Sequence, residues 1–179
     1  MNSKNTILVS LFGGPGCGKS IVAADVFAKL KWKGILAELA YEFVKTKLWE
    51  GHHSIFENQI YILGKQHLIT NRLIGKVDVA VTDSPFLLGC IYDINNNLEL
   101  KNLIITEYKK LNTYNVFLRR NPALFEKEGR NQDLSESIKI DFKIKQLLNE
   151  NNIPFDEIDT CPENVDVIVQ NILQKIKNN

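Results

Sequence analysis

The chain has little of what marks secreted, membrane-embedded or metal-built proteins. Its 179 residues include only three cysteines, Cys17, Cys90 and Cys161, an odd number at wide spacing. That argues against a disulfide framework or a cysteine metal knuckle and for a reducing compartment. Histidine is equally scarce, at three residues, and no ligand set surrounds His52 and His53, so no zinc site is expected. No apolar run approaches the roughly 18 residues of a membrane span, and no membrane partner is expected. The stretch from Met1 to Asn5 runs straight into an apolar pattern without the layout of a signal peptide. The expected location is the cytoplasm, or the host cytoplasm for a viral chain. A net charge of +1 supplies no bulk drive toward nucleic acid or anionic lipid. Repeats, low-complexity tracts and interdomain linkers are lacking too. One domain over residues 1–179 is expected, with 44% hydrophobic residues to build its core.

What the chain does have is Gly13-Gly14-Pro15-Gly16-Cys17-Gly18-Lys19-Ser20, a match to the G-x-x-x-x-G-K-[ST] phosphate loop. Glycines let backbone N–H groups turn inward around an anion. Lys19 brings a cation to the β- and γ-phosphates, and the Ser20 hydroxyl can hold magnesium. The context fits. Thr6 to Phe12 is a β-branched apolar run that reads as a buried strand, and Ile21 to Leu30 has helical apolar spacing. A helix opening at the loop adds its dipole to the anion site. Cys17 stands where a small residue fits the loop; a thiol at a helix N-terminus is also a candidate for reactivity.

Strand and helix patterns alternate along the rest of the chain, which predicts an α/β fold with a parallel sheet covered on both faces. Further strands are expected at 34–39, 77–82, 114–118 and 153–158, the last at an edge because of Pro154. Helices are expected at 54–73, 98–111, 134–149 and 162–176, with Asp133 or Ser135 capping the third and Pro162 in the first turn of the fourth. The stretch from Ser84 to Leu98 has no assigned role, and its asparagine-rich end, Asp93 to Asn97, reads as a surface loop.

Ligands of such a sheet sit at the carboxyl ends of its strands. Asp83, just past an apolar strand, is the candidate carboxylate for the magnesium shell alongside Ser20. Glu38 and Glu42 are candidates for the carboxylate that takes a proton from an acceptor hydroxyl. Glu42 is preferred because Glu38 falls at the strand itself. Arg119, Arg120 and Arg130 bracket a polar stretch, about 119–132, that reads as a lid whose arginines neutralise charge on a transferring phosphoryl group. Gln59 and Gln66, seven residues apart, share a helix face that either hydrogen-bonds a substrate or is the solvated side of the helix. Trp49 is a candidate for stacking on an aromatic substrate.

Taken in order, Gly13 to Ser20, Glu38-Leu39-Ala40-Tyr41-Glu42-Phe43-Val44, Thr82-Asp83-Ser84-Pro85 and Leu118-Arg119-Arg120 with Gly129-Arg130-Asn131-Gln132 resemble the P-loop kinase family that includes the ribosylnicotinamide kinase domain and related small phage-type ATPase/kinase proteins. The resemblance spans about Thr6 to Ile158. It implies a three-layer P-loop NTPase fold with a five-stranded parallel sheet of order 2-3-1-4-5. It implies a helical substrate region at about 42–75 and an arginine-bearing lid. By the same resemblance Lys19, Ser20 and Asp83 serve ATP and Mg2+, Glu42 or Glu38 serves the acceptor, and Asp159 to Pro162, including Cys161, flanks the adenine.

The leading expectation is therefore a kinase acting on a nucleoside- or nucleotide-like small molecule. Two other readings stand beside it. One is a kinase acting on a nucleotide within DNA or RNA, with Lys45, Lys47, His52, His53, Lys65 and Arg72 as phosphate contacts; the near-neutral charge counts against it. The other is an ATPase switch with a protein partner. Oligomeric state is left open.

Overall fold

The computed structural model describes residues 5–51, 55, 57–121 and 133–178. Five parallel strands form one sheet: β1 (Ile7–Phe12), β2 (Ala37–Leu39), β3 (Val79–Thr82), β4 (Thr113–Arg119) and β5 (Asp156–Asp159), in the order β2-β3-β1-β4-β5. This is the expected order, and β5 lies at the expected edge. Strand β1 is central and wholly buried. It pairs with β3 in the register Ile7↔Val79 and with β4 in the register Leu8↔Thr113.

The sheet's two faces carry separate cores, because side chains alternate along each strand. On one face Ile7, Val9 and Leu11 pack with α1 (Lys19–Trp32) and α7 (Pro162–Lys177) through Val22, Val26, Leu30, Val165, Ile168 and Ile172. On the other, Leu8 and Phe12 pack with α5 (Leu98–Lys109) and α6 (Leu134–Glu150) through Ile104, Tyr108, Ile144 and Leu148. The remaining helices are α2 (Phe43–Trp49), α3 (Gln59–Asn71) and the single turn α4 (Gly89–Tyr92). Helices on both faces of a parallel sheet make the three-layer P-loop NTPase architecture.

Local chemistry sets the helix ends. Helix α1 closes in a Schellman motif: the Gly34 N–H donates to Lys31 O and the Ile35 N–H to Leu30 O, with Gly34 at φ 77°. That turn delays β2 to Ala37, three residues later than its apolar pattern suggests. Asp133 caps α6 through a capping box with Glu136. The Glu136 N–H bond to its carboxylate holds Asp133 below the usual carboxylate range, so this cap is fully formed at neutral pH and fades as acid protonates it. Asn58 and Asn97 cap α3 and α5 through their side-chain oxygens alone, which accept the Tyr61 and Leu100 N–H groups. Helix α3 therefore starts at Gln59 rather than at residue 54. Strand β5 starts at Asp156 rather than at residue 153, because the carbonyl of Pro154 is occupied by the Asn115 side chain.

Two segments had no element of their own in the periodicity reading. Residues 43–49 form helix α2, inside the helical region that the family resemblance implied at about 42–75. In the stretch after Asp83, Phe86–Leu88 forms a 3-10 turn with all three side chains buried, leading into α4, whereas the asparagine-rich end is at the surface, with residues 94–98 exposed. Phe86 and Tyr108 meet edge to face at 5.4 Å, which roots this segment in the core beside α5. No helix among the described residues is long and apolar enough to cross a membrane.

Ile144 is fully buried in the second core. Ile144→Ala is expected to lower unfolding free energy by about 2–5 kcal/mol in denaturant titration, the cost of lost burial plus a cavity.

Candidate functional site

The phosphate loop leaves the carboxyl end of β1 and wraps into α1 as the sequence requires. Gly16 and Gly18 stand at φ 76° and 88°, conformations that a side chain would strain. Gly18 also faces Thr160 so closely that a Cβ would come within 2.6 Å of the Thr160 methyl carbon. Helix α1 begins with no capping side chain and no acidic residue in its first turn. Its first N–H groups and the positive end of its dipole are thus left for an anion from outside. The Lys19 ammonium donates to Gly13 O at 2.7 Å and to Gly14 O at 2.9 Å, and lies 3.8 Å from the Cys17 sulfur. Cys17 is fully buried, as a small loop-filling residue would be. It is one of three cysteines, all free. The Cys90 thiol is pushed up to about 11, chiefly by burial, which leaves it a poor nucleophile at neutral pH.

Two neighbours brace the loop, and sequence reading had missed the chief residue of each. From the segment after β5, buried Thr160 donates its hydroxyl to Cys17 O at 2.8 Å. This brings Cys161 and Pro162, at the start of α7, alongside the loop's second half. From α6, the Asp141 carboxylate accepts the Gly14 N–H. Its other oxygen accepts from Arg120 at 3.0 and 3.3 Å, and Arg120 also donates to Pro15 O at 2.7 Å. Arg120 thus lies behind the loop, its side chain 8% exposed. Arg119 points elsewhere, in an exposed bidentate pair with Asp159 at 2.7 and 2.8 Å. The third arginine of the expected set, Arg130, lies outside the described residues, as do most of the expected lid and both His52 and His53.

In front of the loop a cleft of about 290 Å³ is lined by Ser20, Ala23, Ala24, Leu39, Ala40, Tyr41, Glu42, Thr46, Trp49 and Asp83. It joins the two candidate magnesium ligands to the candidate base and a candidate stacking residue. Its lining combines Ala23, Ala24, Leu39 and Ala40 with the Tyr41 and Trp49 rings and with the side-chain oxygens of Ser20, Glu42, Thr46 and Asp83. Glu38 is not among them: it lies within edge strand β2, paired in register with Ala80, with an exposed side chain. Of the two glutamates, Glu42, just before α2, is the one that lines the cleft.

Gln59 and Gln66 are buried, not solvated, at 6% and 2% exposure. Gln66 has its amide committed to backbone: Oε1 accepts the Phe43 N–H at 3.2 Å and Nε2 donates to Tyr41 O at 3.3 Å. It grips the residues on either side of Glu42 and so orients that carboxylate rather than presenting itself to a ligand. Phe43 against Tyr61 at 5.7 Å and Arg72 over the Tyr41 ring at 5.7 Å fasten the same turn to α3. Gln59 faces Gly89 of α4. Tyr92, at the end of α4, was not foreseen. Burial raises its hydroxyl well above the usual range, and the negative fields of Glu42, Cys17 and Asp141 add to this. Tyr92 therefore keeps a neutral hydroxyl at neutral pH.

A loop of this geometry at the end of the central strand defines the class of P-loop nucleotide-binding proteins. A family model described as an AAA domain matches residues 8–164, and the chain belongs to that family. No curated protein sequence matches the chain. Among solved structures, the fold resembles deoxyadenosine kinase from M. mycoides with bound dATP, with a TM-score of 0.59 and 20% identity over 93% of this chain and 99% of that one. The same enzyme with dCMP and dCDP bound gives 0.52 and 17% over 96% and 100%. Chaetomium thermophilum Kti12 in complex with ADP-AlF3 gives 0.56 and 12% over 94% and 98%.

Gly14 has no room for a side chain: a Cβ there would stand 2.5 Å from Ser137 O and 2.9 Å from the Asp141 carboxylate. Gly14→Ala is expected to displace the loop from α6 and weaken binding of a fluorescent ADP analogue at least about tenfold, read by titration.

Proposed function

We propose that the chain is a magnesium-dependent phosphotransferase that moves the γ-phosphate of ATP to a hydroxyl of a small nucleoside- or nucleotide-like acceptor. The observation that carries this reading is the single cleft in which Ser20 and Asp83, beside the phosphate loop, face Glu42 with Tyr41 and Trp49 on its walls. An ATPase needs the first pair. A kinase needs the second group as well, so that acceptor and phosphate meet. Membership of the AAA domain family and a fold shared with a deoxyadenosine kinase support the reading.

The donor set suits magnesium. Ser20 and Asp83 offer hard oxygens, and no cluster of three or more His, Cys, Asp or Glu side chains among the described residues forms a cage. Magnesium sites on nucleotides take one or two protein oxygens and fill the rest with phosphate and water. When bound there, the ion would screen the charge between the β- and γ-phosphates.

Each residue then has a role. The N–H groups from Gly16 to Ser20 cradle the phosphates. Lys19 exchanges its two carbonyl partners for phosphate oxygens, a gain in charge pairing that draws it to the nucleotide. The adenine end lies along Asp159 to Pro162, beside Cys161 and Pro162, with the Arg119–Asp159 pair at its rim. Tyr41 and Trp49 offer ring faces to a planar acceptor. Glu42 accepts the proton of the acceptor hydroxyl as its oxygen bonds to the γ-phosphorus. The bond from that phosphorus to the bridging oxygen breaks, and ADP leaves with the electron pair. Arg130, in the expected lid, is proposed to neutralise charge on the group in transit.

The test is to incubate the protein with Mg2+ and ATP against nucleosides, mononucleotides, nicotinamide riboside and short oligonucleotides, reading product masses. One small acceptor should gain a phosphate. Lys19→Ala should abolish this, and Glu42→Gln should lower kcat about a hundredfold or more while retaining ATP binding. Phosphoryl transfer that survives Lys19→Ala contradicts the mechanism, and a Glu42→Gln variant with unaltered kcat removes Glu42 as the base.

A further inference from the structure

We infer that Asp141 is a positioning residue for the phosphate loop, and that Arg120 acts with it as a strut of the loop. This rests on the nucleotide-binding reading above and extends it to a residue that no loop motif contains.

The contacts form a closed ring. Asp141 of α6 accepts the Gly14 N–H with one oxygen and Arg120 with the other, and Arg120 returns to the loop at Pro15 O. Three elements distant in sequence meet there: the loop after β1, the end of β4 and the second turn of α6. The ring is shielded, with the Arg120 side chain 8% and the Asp141 side chain 18% exposed, so solvent screens it weakly. Ser137, one turn earlier on α6, sets its carbonyl against Gly14, so the loop has no space to drift toward the helix.

The Gly14 peptide then carries the effect into the site. Its N–H is held by Asp141, while its carbonyl is held by Lys19. The orientation of that one residue therefore couples α6 to the cation that must turn toward phosphate. Pro15, whose carbonyl is held by Arg120, leads into Gly16, the first of the left-handed turns. Fixing Gly14 and Pro15 fixes the entry to the cradle before any nucleotide arrives, and a preformed cradle binds more tightly because less ordering remains to be done.

An arginine next to a phosphate loop invites another assignment, a contact to the γ-phosphate. The geometry favours the strut. Nε and Nη2 of Arg120 are directed at Asp141 and Nη1 at the Pro15 carbonyl of the loop itself.

The two roles separate by experiment. Affinities for ADP and ATP, each with Mg2+, are measured by calorimetry on wild type, Asp141→Ala, Asp141→Asn, Arg120→Ala and the Asp141→Ala/Arg120→Ala double variant, alongside thermal melts. A strut acts on the loop, so each single Ala variant should weaken ADP and ATP by the same factor, about tenfold or more. The double variant should lose little beyond the larger single loss, because the two residues act as one unit. Asp141→Asn keeps an acceptor for the Gly14 N–H and should fall between wild type and Asp141→Ala. It carries the test should the Ala variant fail to fold. Loss of ATP binding with ADP binding intact would make Arg120 a γ-phosphate contact and overturn the inference. So would tighter binding on removing Asp141, which would make the carboxylate a competitor of phosphate, or unaltered affinity in all variants. Because ADP binding is read directly, the outcome does not depend on finding an acceptor. Wild-type protein that bound neither nucleotide would overturn the phosphate-loop reading and this one together.

Discussion

The structure depends on a buried central strand that must end in an anion cradle. Strand β1 is covered on both faces and hydrogen-bonded along both edges, so it has little freedom to shift. Whatever follows it inherits that rigidity. The phosphate loop is thus delivered at a fixed place, and the first N–H groups of α1, left without a side-chain cap, complete it. A loop rich in glycine is costly to order, and the surroundings offset that cost: Thr160 holds its second half from one side and Asp141 with Arg120 hold its first half from the other.

Charge is divided across the site in the manner that phosphoryl chemistry asks. The loop side offers a lysine, backbone N–H groups and a helix dipole. The cleft lined by Ser20 offers two carboxylates, Asp83 and Glu42. An anion is drawn to the first, whereas magnesium or a proton-bearing hydroxyl suits the second. The backbone on both sides of Glu42 is held by Gln66 of α3, which accepts from the Phe43 N–H and donates to Tyr41 O.

Much of this was legible in the sequence where residue type is dictated locally. The loop could be read because its glycines are demanded by backbone angles and close approach. The strands and long helices could be read from apolar periodicity, and the order of the sheet followed from the family resemblance. Ser20, Asp83, Glu42 and Trp49 were named from sequence, and all four line one cleft. What could not be read depends on contacts between distant residues. Gly14 and Asp141 are 127 positions apart, and Cys17 and Thr160 are 143. No local pattern marks Asp141 among the charges of an amphipathic helix. Gln66 looked like one polar residue of such a helix until the turn it holds was placed beside it. Helix α2 is short and lacks a recognisable cap, so periodicity had nothing to count. The segment after Asp83 did carry a signal: Phe86-Leu87-Leu88 is too apolar for a surface loop, and the asparagines that follow drew attention away from it.

The loop and Glu42 are proposed to serve one reaction on two molecules in one cleft. The most direct test of this is the fate of the γ-phosphate. With ATP labelled at that position, Mg2+ and the acceptor pool, the label should move to a small organic product in step with ADP formation, and little should be released as inorganic phosphate. Label recovered only as inorganic phosphate, at a rate indifferent to every acceptor, would contradict the account and make the protein an ATPase.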